Sequence, residues 1–361
     1  MAGLTVLDRL IVALHRAGAG PIYVVCGGEA TYAPGSSASF SCTCAASLLR
    51  RTKALEIPVQ VLSEIPPRDG LVLVARSEVI VRAADLALLI ERGGRLATAA
   101  GAPLPIGILP HLPESAFPKL DSLSVVRAEG FAALMTDARS ARVVERALWA
   151  SLTSSADGVV DRVFNRPCGR ALSKLLVHTN VSPNTISVAS ILIGLLAAWL
   201  FAAGDYASIV AAAFIFQLSA IVDCVDGDLA RVLFKESKLG KWLDLAGDQV
   251  VHVGVFAGMA IGLARREIPL GLWLGMSAVV GALLSFAVVL RGMRNRDGRQ
   301  SVLMGKLIDS VTNRDFSVLV LVLACIDRLQ WFLWLAAVGS HVFWIAALAI
   351  QGSTAGRRVT R

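Results

Sequence analysis

The chain changes character near residue 183: before it apolar positions recur in short periods, and after it they run together. Over residues 4–17, Leu7, Leu10, Ile11 and Leu14 keep helical spacing, which predicts an amphipathic helix ended by Gly18 and Gly20. Residues 22–26 read as a short buried strand, and strand-like runs follow at 59–62, 71–74, 95–99 and 105–109. Helical stretches near 47–55, 83–91 and 138–152 separate or follow them. Strand and helix in alternation predict a soluble α/β domain over residues 1–150, on a mostly parallel, Rossmann-type sheet. No segment of it is long enough to span a bilayer.

Residues 151–182 read as a linker and an amphipathic helix. Arg162, Arg166, Arg170 and Lys174 recur every four residues, against an apolar side of Val160, Val163, Phe164, Leu172, Leu175 and Leu176. Such a helix suits the membrane interface, with Pro167 expected to break or kink it; packing on the N-terminal domain is the other reading. Beyond it, apolar segments at 185–203, 207–232, 241–264, 269–291, 312–328 and 330–351 are each compatible with a bilayer span. The last two require a tight turn at Asp327 and Arg328. Residues 183–361 are therefore expected to form an all-α, six-helix transmembrane domain.

Composition agrees: 55% of the 361 residues are hydrophobic and mean hydropathy is +0.65, too apolar for an ordinary soluble chain. The distribution of the +8 formal charge matters more than its size. Lys235, Lys238 and Lys241 follow the second expected span, and Arg291, Arg294, Arg296, Arg299 and Lys306 follow the fourth. Arg357, Arg358 and Arg361 close the chain. With the N-terminus inside and an even number of spans, these regions and both termini fall on the cytoplasmic side of the cell membrane. Arg265 and Arg266 then fall outside, against the rule. No nucleic-acid-binding motif accompanies the charge, so nucleic acid is not an expected partner. The six cysteines are scattered and fit reduced thiols. The first residues have neither signal-peptide nor transit-peptide character, in keeping with a cytoplasmic N-terminal domain.

The chemistry is concentrated in residues 223–248, DCVDGDLARVLFKESKLGKWLDLAGD. Asp223 and Asp226 are three apart and Asp244 and Asp248 four apart, so each pair shares a helix face at the end of an apolar segment. A carboxylate at the centre of a span costs ~2.5–3.5 kcal/mol and persists mainly where a cation or a water-filled cavity receives it. Two such pairs joined by a basic turn suggest two helices holding divalent metal between them. Gly227 and Ala230 leave a face nearly bare of side chains, with room for a flat ligand. Arg231 and the lysines 235, 238 and 241 offer positive charge to phosphate.

The pattern D-x2-D-G-x2-A-R-x8-G-x3-D-x3-D is filled without a mismatch by Asp223, Asp226, Gly227, Ala230, Arg231, Gly240, Asp244 and Asp248. It resembles the signature of the CDP-alcohol phosphotransferases, also called CDP-alcohol phosphatidyltransferases, integral membrane enzymes of phospholipid and phosphodiester synthesis. The resemblance implies transfer of a phosphoalcohol or phosphatidyl group from a CDP-alcohol to an acceptor hydroxyl, with release of CMP. By the same resemblance Asp223, Asp226 and Asp244 bind metal, and Asp248 joins them as a ligand and serves as general base nearest the acceptor. Hard oxygen ligands favour Mg²⁺ or Mn²⁺, two ions per site. Gly227, Ala230 and Gly240 belong to the nucleotide side of the site, where Arg231 pairs with a phosphate. Asn184, in a Pro183-Asn184-x-x-Ser187 run similar to the family's PNxxT opening of the first span, would reach the same side. Asp228 occupies a position that the pattern leaves open and reads as a solvated or helix-end charge.

The acceptor, lipid or inositol phosphate, stays open. In relatives using inositol phosphate, basic residues near the later spans grip the acceptor; Arg291, Arg294, Arg296, Arg299 and Arg314 are the candidates here, and setting topology is their other role. The family pairs through membrane helices, which implies a homodimer. In the first domain, a helix followed by PIYVVCGG and later LVLVARSEV resembles a sugar-nucleotidyltransferase that lacks its opening strand and Gly-rich loop. Fusions of inositol-phosphate cytidylyltransferase with di-inositol-phosphate phosphate synthase have this order. Where that family places a metal-binding Asp, Arg76-Ser77-Glu78 stands, so the domain is expected to be inactive. His15, His111, His178, His252 and His341 read as surface or packing residues. A non-catalytic membrane scaffold or a transporter with a nucleotide-binding domain is the competing function; the intact Asp248 and the absence of detectable inverted repeats count against it.

Overall fold

The computed structural model describes residues 2–25, 49–62, 68–112, 118–152, 158–294 and 316–356. The chain divides into two compact units, Met1–Leu152 and Thr153–Arg361.

In the first unit α1 (Val6–Arg16) starts where the Thr5 side chain accepts the Asp8 N–H, and it ends before Gly18 at φ +86°. Its apolar face, Leu10 and Ala13, enters the core with Leu86, Leu89, Leu96, Leu104 and Ile106. Asp8 is also buried. Its carboxylate accepts the Arg51 N–H (2.7 Å), the Thr52 N–H (2.8 Å) and the Thr52 hydroxyl (2.6 Å), which ties α1 to α2 (Arg50–Ala54). Helices α3 (Ala83–Arg92) and α4 (Ala138–Ala150) lie near their expected positions.

The sheet differs from expectation. Strands β1 (Ile22–Val25) and β2 (Val59–Leu62) pair in parallel, as do β5 (Arg95–Ala97) and β7 (Val125–Arg127). The pairs of β3 (Arg68–Ala75) with β6 (Pro103–Leu112), β5 with β6, and β4 (Val79–Val81) with β8 (Ala132–Leu134) are antiparallel. The larger sheet has the order β3-β6-β5-β7. A mixed sheet therefore replaces the expected parallel, Rossmann-type one among the described strands. Chain length is the reason: the β5–β6 link turns through Gly101 (φ +90°), closed by Gly101 N–H to the Thr98 carbonyl at 2.8 Å. That link is too short for a parallel crossover.

In the second unit a π-helical turn (Asp161–Asn165) leads into α5 (Arg166–Leu176). Pro167 is the second residue of α5, directly after the π-helical turn that interrupts the regular α-helical pattern of this run. The helix packs closely on α7 (Tyr206–Val232), since a Cβ at Gly169 would lie 3.1 Å from both the Cys224 Cβ and the Ile221 carbonyl oxygen. Helix α6 (Pro183–Ala203) packs on both α7 and α8 (Lys238–Arg265), α9 (Gly271–Arg294) packs on α8 and on α11 (Leu329–Gly356), and α10 (Phe316–Cys325) packs on α7 and α11. Among the described residues, five helices of this unit, all but α5 and α10, are long and apolar enough to cross a membrane. The fifth expected span, 312–328, begins outside the described residues, and its described helix, α10, has 10 residues.

Two features hold this bundle in register. Gly254, Gly258 and Gly262 form a small-residue seam on α8: a Cβ would lie 2.1 Å from the Ala198 oxygen at Gly258, and 2.1 Å from the Phe201 oxygen at Gly262. At the same end, Arg265 Nη1 donates to the Ala202 carbonyl (2.7 Å) and closes α6. Arg266 forks onto Asp327 through Nη1–Oδ1 (2.5 Å) and Nη2–Oδ2 (2.8 Å). The two arginines that break the charge rule are thus both engaged, one of them by the Asp327 turn.

Candidate functional site

The carboxylates are brought together by the reversal between α7 and α8. Lys235 N–H bonds to the Ala230 carbonyl (2.8 Å) and Phe234 N–H to that of Arg231 (3.4 Å), with Phe234 in the left-handed region at φ +54°. This closes α7 by a Schellman motif. The Ser237 side chain then starts α8 by accepting the Gly240 N–H at 2.9 Å. Asp223 and Asp226 stand on the last turns of α7 and Asp244 on the second turn of α8. One carboxylate oxygen from each lies within 4.8 Å of the others.

Helix α6 supplies hydroxyls to this cluster. Ser187 Oγ donates to Asp226 Oδ2, and Ser190 Oγ approaches Asp223 Oδ1 at 3.3 Å. Three convergent hard oxygens, two of them on carboxylates oriented by hydroxyl groups, fit Mg²⁺ or Mn²⁺ and not a metal that prefers thiolate or imidazole. Asp248, one turn beyond Asp244, lines a cavity with Asp223; its other polar walls are Ser190, Ser219, His252 and Ser317.

Arg231 lies over Gly227, where a Cβ would come 3.4 Å from Nη2. Asp228 is not solvated: it is fully buried, and its Oδ1 accepts from Arg231 Nη2 (3.1 Å) and Arg166 Nη1 (3.0 Å). Its place on the inner face of α7, toward α5, overrides its place near the helix end. Gly240 and Asn184 meet, since a Cβ at Gly240 would lie 3.0 Å from Asn184 Oδ1. Ala230 is half-buried. Arg291 is exposed, Arg294 ends α9 with its side chain outside the described residues, and Arg296, Arg299 and Arg314 are also outside them.

His15, His111 and His178 are exposed, and His341 accepts from Trp344 Nε1 at 2.9 Å. His252 packs edge-on against Phe316 at 5.1 Å between ring centroids, and it also faces the cavity beside Asp248. Ser187, Ser190 and Arg166 were given no site role by the sequence reading. A signal existed for Ser187, which fills the Thr position of the PNxxT run, and for Arg166, in the basic stripe.

Residues 180–297 match the CDP-alcohol phosphatidyltransferase family. Among curated relatives, the bifunctional IPC transferase and DIPP synthase of Thermococcus kodakarensis is 31% identical over 134 residues, 37% of this chain and 29% of that protein. Its namesake from Archaeoglobus fulgidus is 31% identical over 153 residues, covering 42% and 30%. The archaetidylinositol phosphate synthase of Pyrococcus horikoshii is 32% identical over 98 residues, covering 27% and 50%. The chain thus matches less than a third of the length of the first two. A crystal structure of Mycobacterium tuberculosis phosphatidylinositol phosphate synthase with manganese and citrate aligns at 18% identity and TM-score 0.37, over 50% of this chain and 87% of that one. The complete signature and its clustered carboxylates both lie within the residues that match the CDP-alcohol phosphatidyltransferase family.

Proposed function

We propose that the membrane unit transfers a phosphoalcohol or phosphatidyl group from a CDP-alcohol to an acceptor hydroxyl and releases CMP. The observation that carries this reading is the convergence of Asp223, Asp226 and Asp244 from two helices, beside Arg231 and a cavity that Asp248 lines. The three carboxylates, with Asp248, would hold the metal, two ions in this reading, and bound metal offsets the charge of the pyrophosphate. The protein's own groups do the rest. Gly227, Ala230, Gly240 and Asn184 seat the nucleotide, and Arg231 pairs with its phosphate. Asp248 takes the proton of the acceptor hydroxyl, whose oxygen then bonds to phosphorus as the bond to the CMP oxygen breaks. The names of the relatives favour an inositol phosphate acceptor, for which Arg291, Arg294, Arg296, Arg299 and Arg314 are the candidate contacts. The reading includes a homodimer with a cytoplasmic active site. In it the first unit is a catalytically inactive companion, since exposed Arg76 and Ser77 follow β3 where the nucleotidyltransferase pattern calls for Asp.

The test is CMP release by the purified full chain with Mg²⁺, offered CDP-diacylglycerol or CDP-inositol with inositol phosphate or glycerol phosphate. Release that is abolished by EDTA and by Asp248→Asn, with the fold retained, is the expected result. A scaffold or transporter would release no CMP in any combination and would be indifferent to Asp248→Asn.

A further inference from the structure

We propose that Arg166, on the helix that precedes the membrane spans, is a second cation for the donor's pyrophosphate, and that buried Asp228 is its positioning residue. The inference rests on the CDP-alcohol reading above. It starts from charge. Asp228 follows Gly227 within the signature and is fully buried, and one of its oxygens takes a hydrogen bond from each of two guanidinium groups. With Arg231 as its only partner, the pair would carry no net charge, and the signature arginine would be cancelled by a carboxylate in its own helical turn. Arg166 restores a single net positive charge. The doublet stands beside the carboxylate cluster: Arg231 lies over Gly227, the residue next to Asp226, and Arg166 shares its carboxylate oxygen on Asp228.

The position of Arg166 is fixed from behind. Its neighbour Asn165 is fully buried, donates to Asp161 Oδ1 at 2.7 Å and accepts from Gln217 Nε2 of α7 at 2.5 Å. The backbone that carries Arg166 is thereby held to α7 before any ligand arrives, which lowers the ordering cost of a phosphate contact. The Arg166 side chain is 13% exposed against 37% for Arg231, so water screens its charge less. A planar guanidinium matches phosphate oxygens with a fork of donors that an ammonium could not present.

The experiment uses the full chain in detergent, with CDP binding in the presence of Mn²⁺ followed by calorimetry and CMP release followed kinetically. Arg166→Gln should weaken CDP binding by about tenfold or more, the size of a lost charged hydrogen bond. It should raise KM for the CDP-alcohol and leave KM for the acceptor within about twofold of wild type on this principle. Arg166→Lys should recover only part of the loss. Asp228→Asn is diagnostic in sign: it adds net positive charge, so a purely electrostatic site would bind CDP more tightly, whereas a positioning role predicts weaker binding. If Arg166→Gln does not fold, Arg166→Met, which keeps the length of the side chain without its charge and leaves Asp228 paired with Arg231, takes its place and should bind CDP more weakly. Folded Arg166 variants that bind CDP as wild type does, or tighter binding by Asp228→Asn, would overturn the inference alone. A wild-type chain that binds no cytidine nucleotide and releases no CMP would overturn the reading beneath it.

Discussion

Replacing Ser187 by Ala isolates the contribution of one hydroxyl to the metal site. Ser187 is 3% exposed and Asp226 7%, so no water readily replaces the lost donor. A hydrogen bond to a charged group contributes ~1.5–3 kcal/mol, and at about 1.4 kcal/mol per factor of ten this is roughly 10- to 150-fold in an equilibrium constant. The range agrees with the roughly 10- to 100-fold loss usual when a group that orients a metal ligand is removed. The Mn²⁺ affinity of Ser187→Ala should therefore fall by between one and two powers of ten, and the Mg²⁺ concentration needed for half-maximal CMP release should rise in parallel. Ser187→Thr keeps the hydroxyl and should stay close to wild type. Titration calorimetry with Mn²⁺ decides the matter. A folded Ser187→Ala protein with Mn²⁺ affinity within about twofold of wild type would refute the argument that this hydroxyl orients Asp226.

Three further substitutions test the framework. Gly258→Leu must push α8 off the Ala198 carbonyl, which should cost about 1–3 kcal/mol, lower the thermal midpoint and slow CMP release by displacing Asp244 and Asp248. Gly254→Ala meets the flexible Leu195 side chain at 3.2 Å and the Ala198 Cβ at 3.4 Å, an ordinary contact, and should be tolerated; equal damage from both would refute the seam. Asp327→Asn should destabilise by about 0.5 kcal/mol, the scale of a solvent-exposed pair. Hydrogen bonds from Arg266, and then its charge, hold the Asp327 carboxyl below the usual carboxylate range, while Asp327 raises Arg266. The stabilisation is thus complete above the ordinary carboxylate pKa and is lost only as pH falls through the lowered one. The difference in midpoint between Asp327→Asn and wild type should be flat from about pH 5 to 9; a difference already lost at pH 5 would refute the coupling.

The spans of α6 to α9 and the signature were legible because both are local: apolar run length and carboxylate spacing are complete within one or two helices. The sheet was less so. Hydrophobic runs located the strands but carry no direction, and the short link through Gly101 decided β5 and β6. Asp228 was misread for a related reason: its partner Arg166 lies 62 residues away, on a helix whose stripe pattern equally suits lipid or protein. Ser187 and Ser190 are ordinary residues in an apolar helix until α7 places carboxylates beside them.

The fork between Arg266 and Asp327 also has a consequence for biogenesis. The partners are 61 residues apart, so the arginine is made long before its carboxylate exists. At ~5–20 residues per second of synthesis, Arg266 stays uncompensated for roughly 3–12 s while the following apolar segments emerge from the ribosome. During that interval the direction of insertion must be set by other charges, foremost Lys235, Lys238 and Lys241, which are translated first. The ion pair then acts as a late latch, closing on a topology that earlier residues have already chosen.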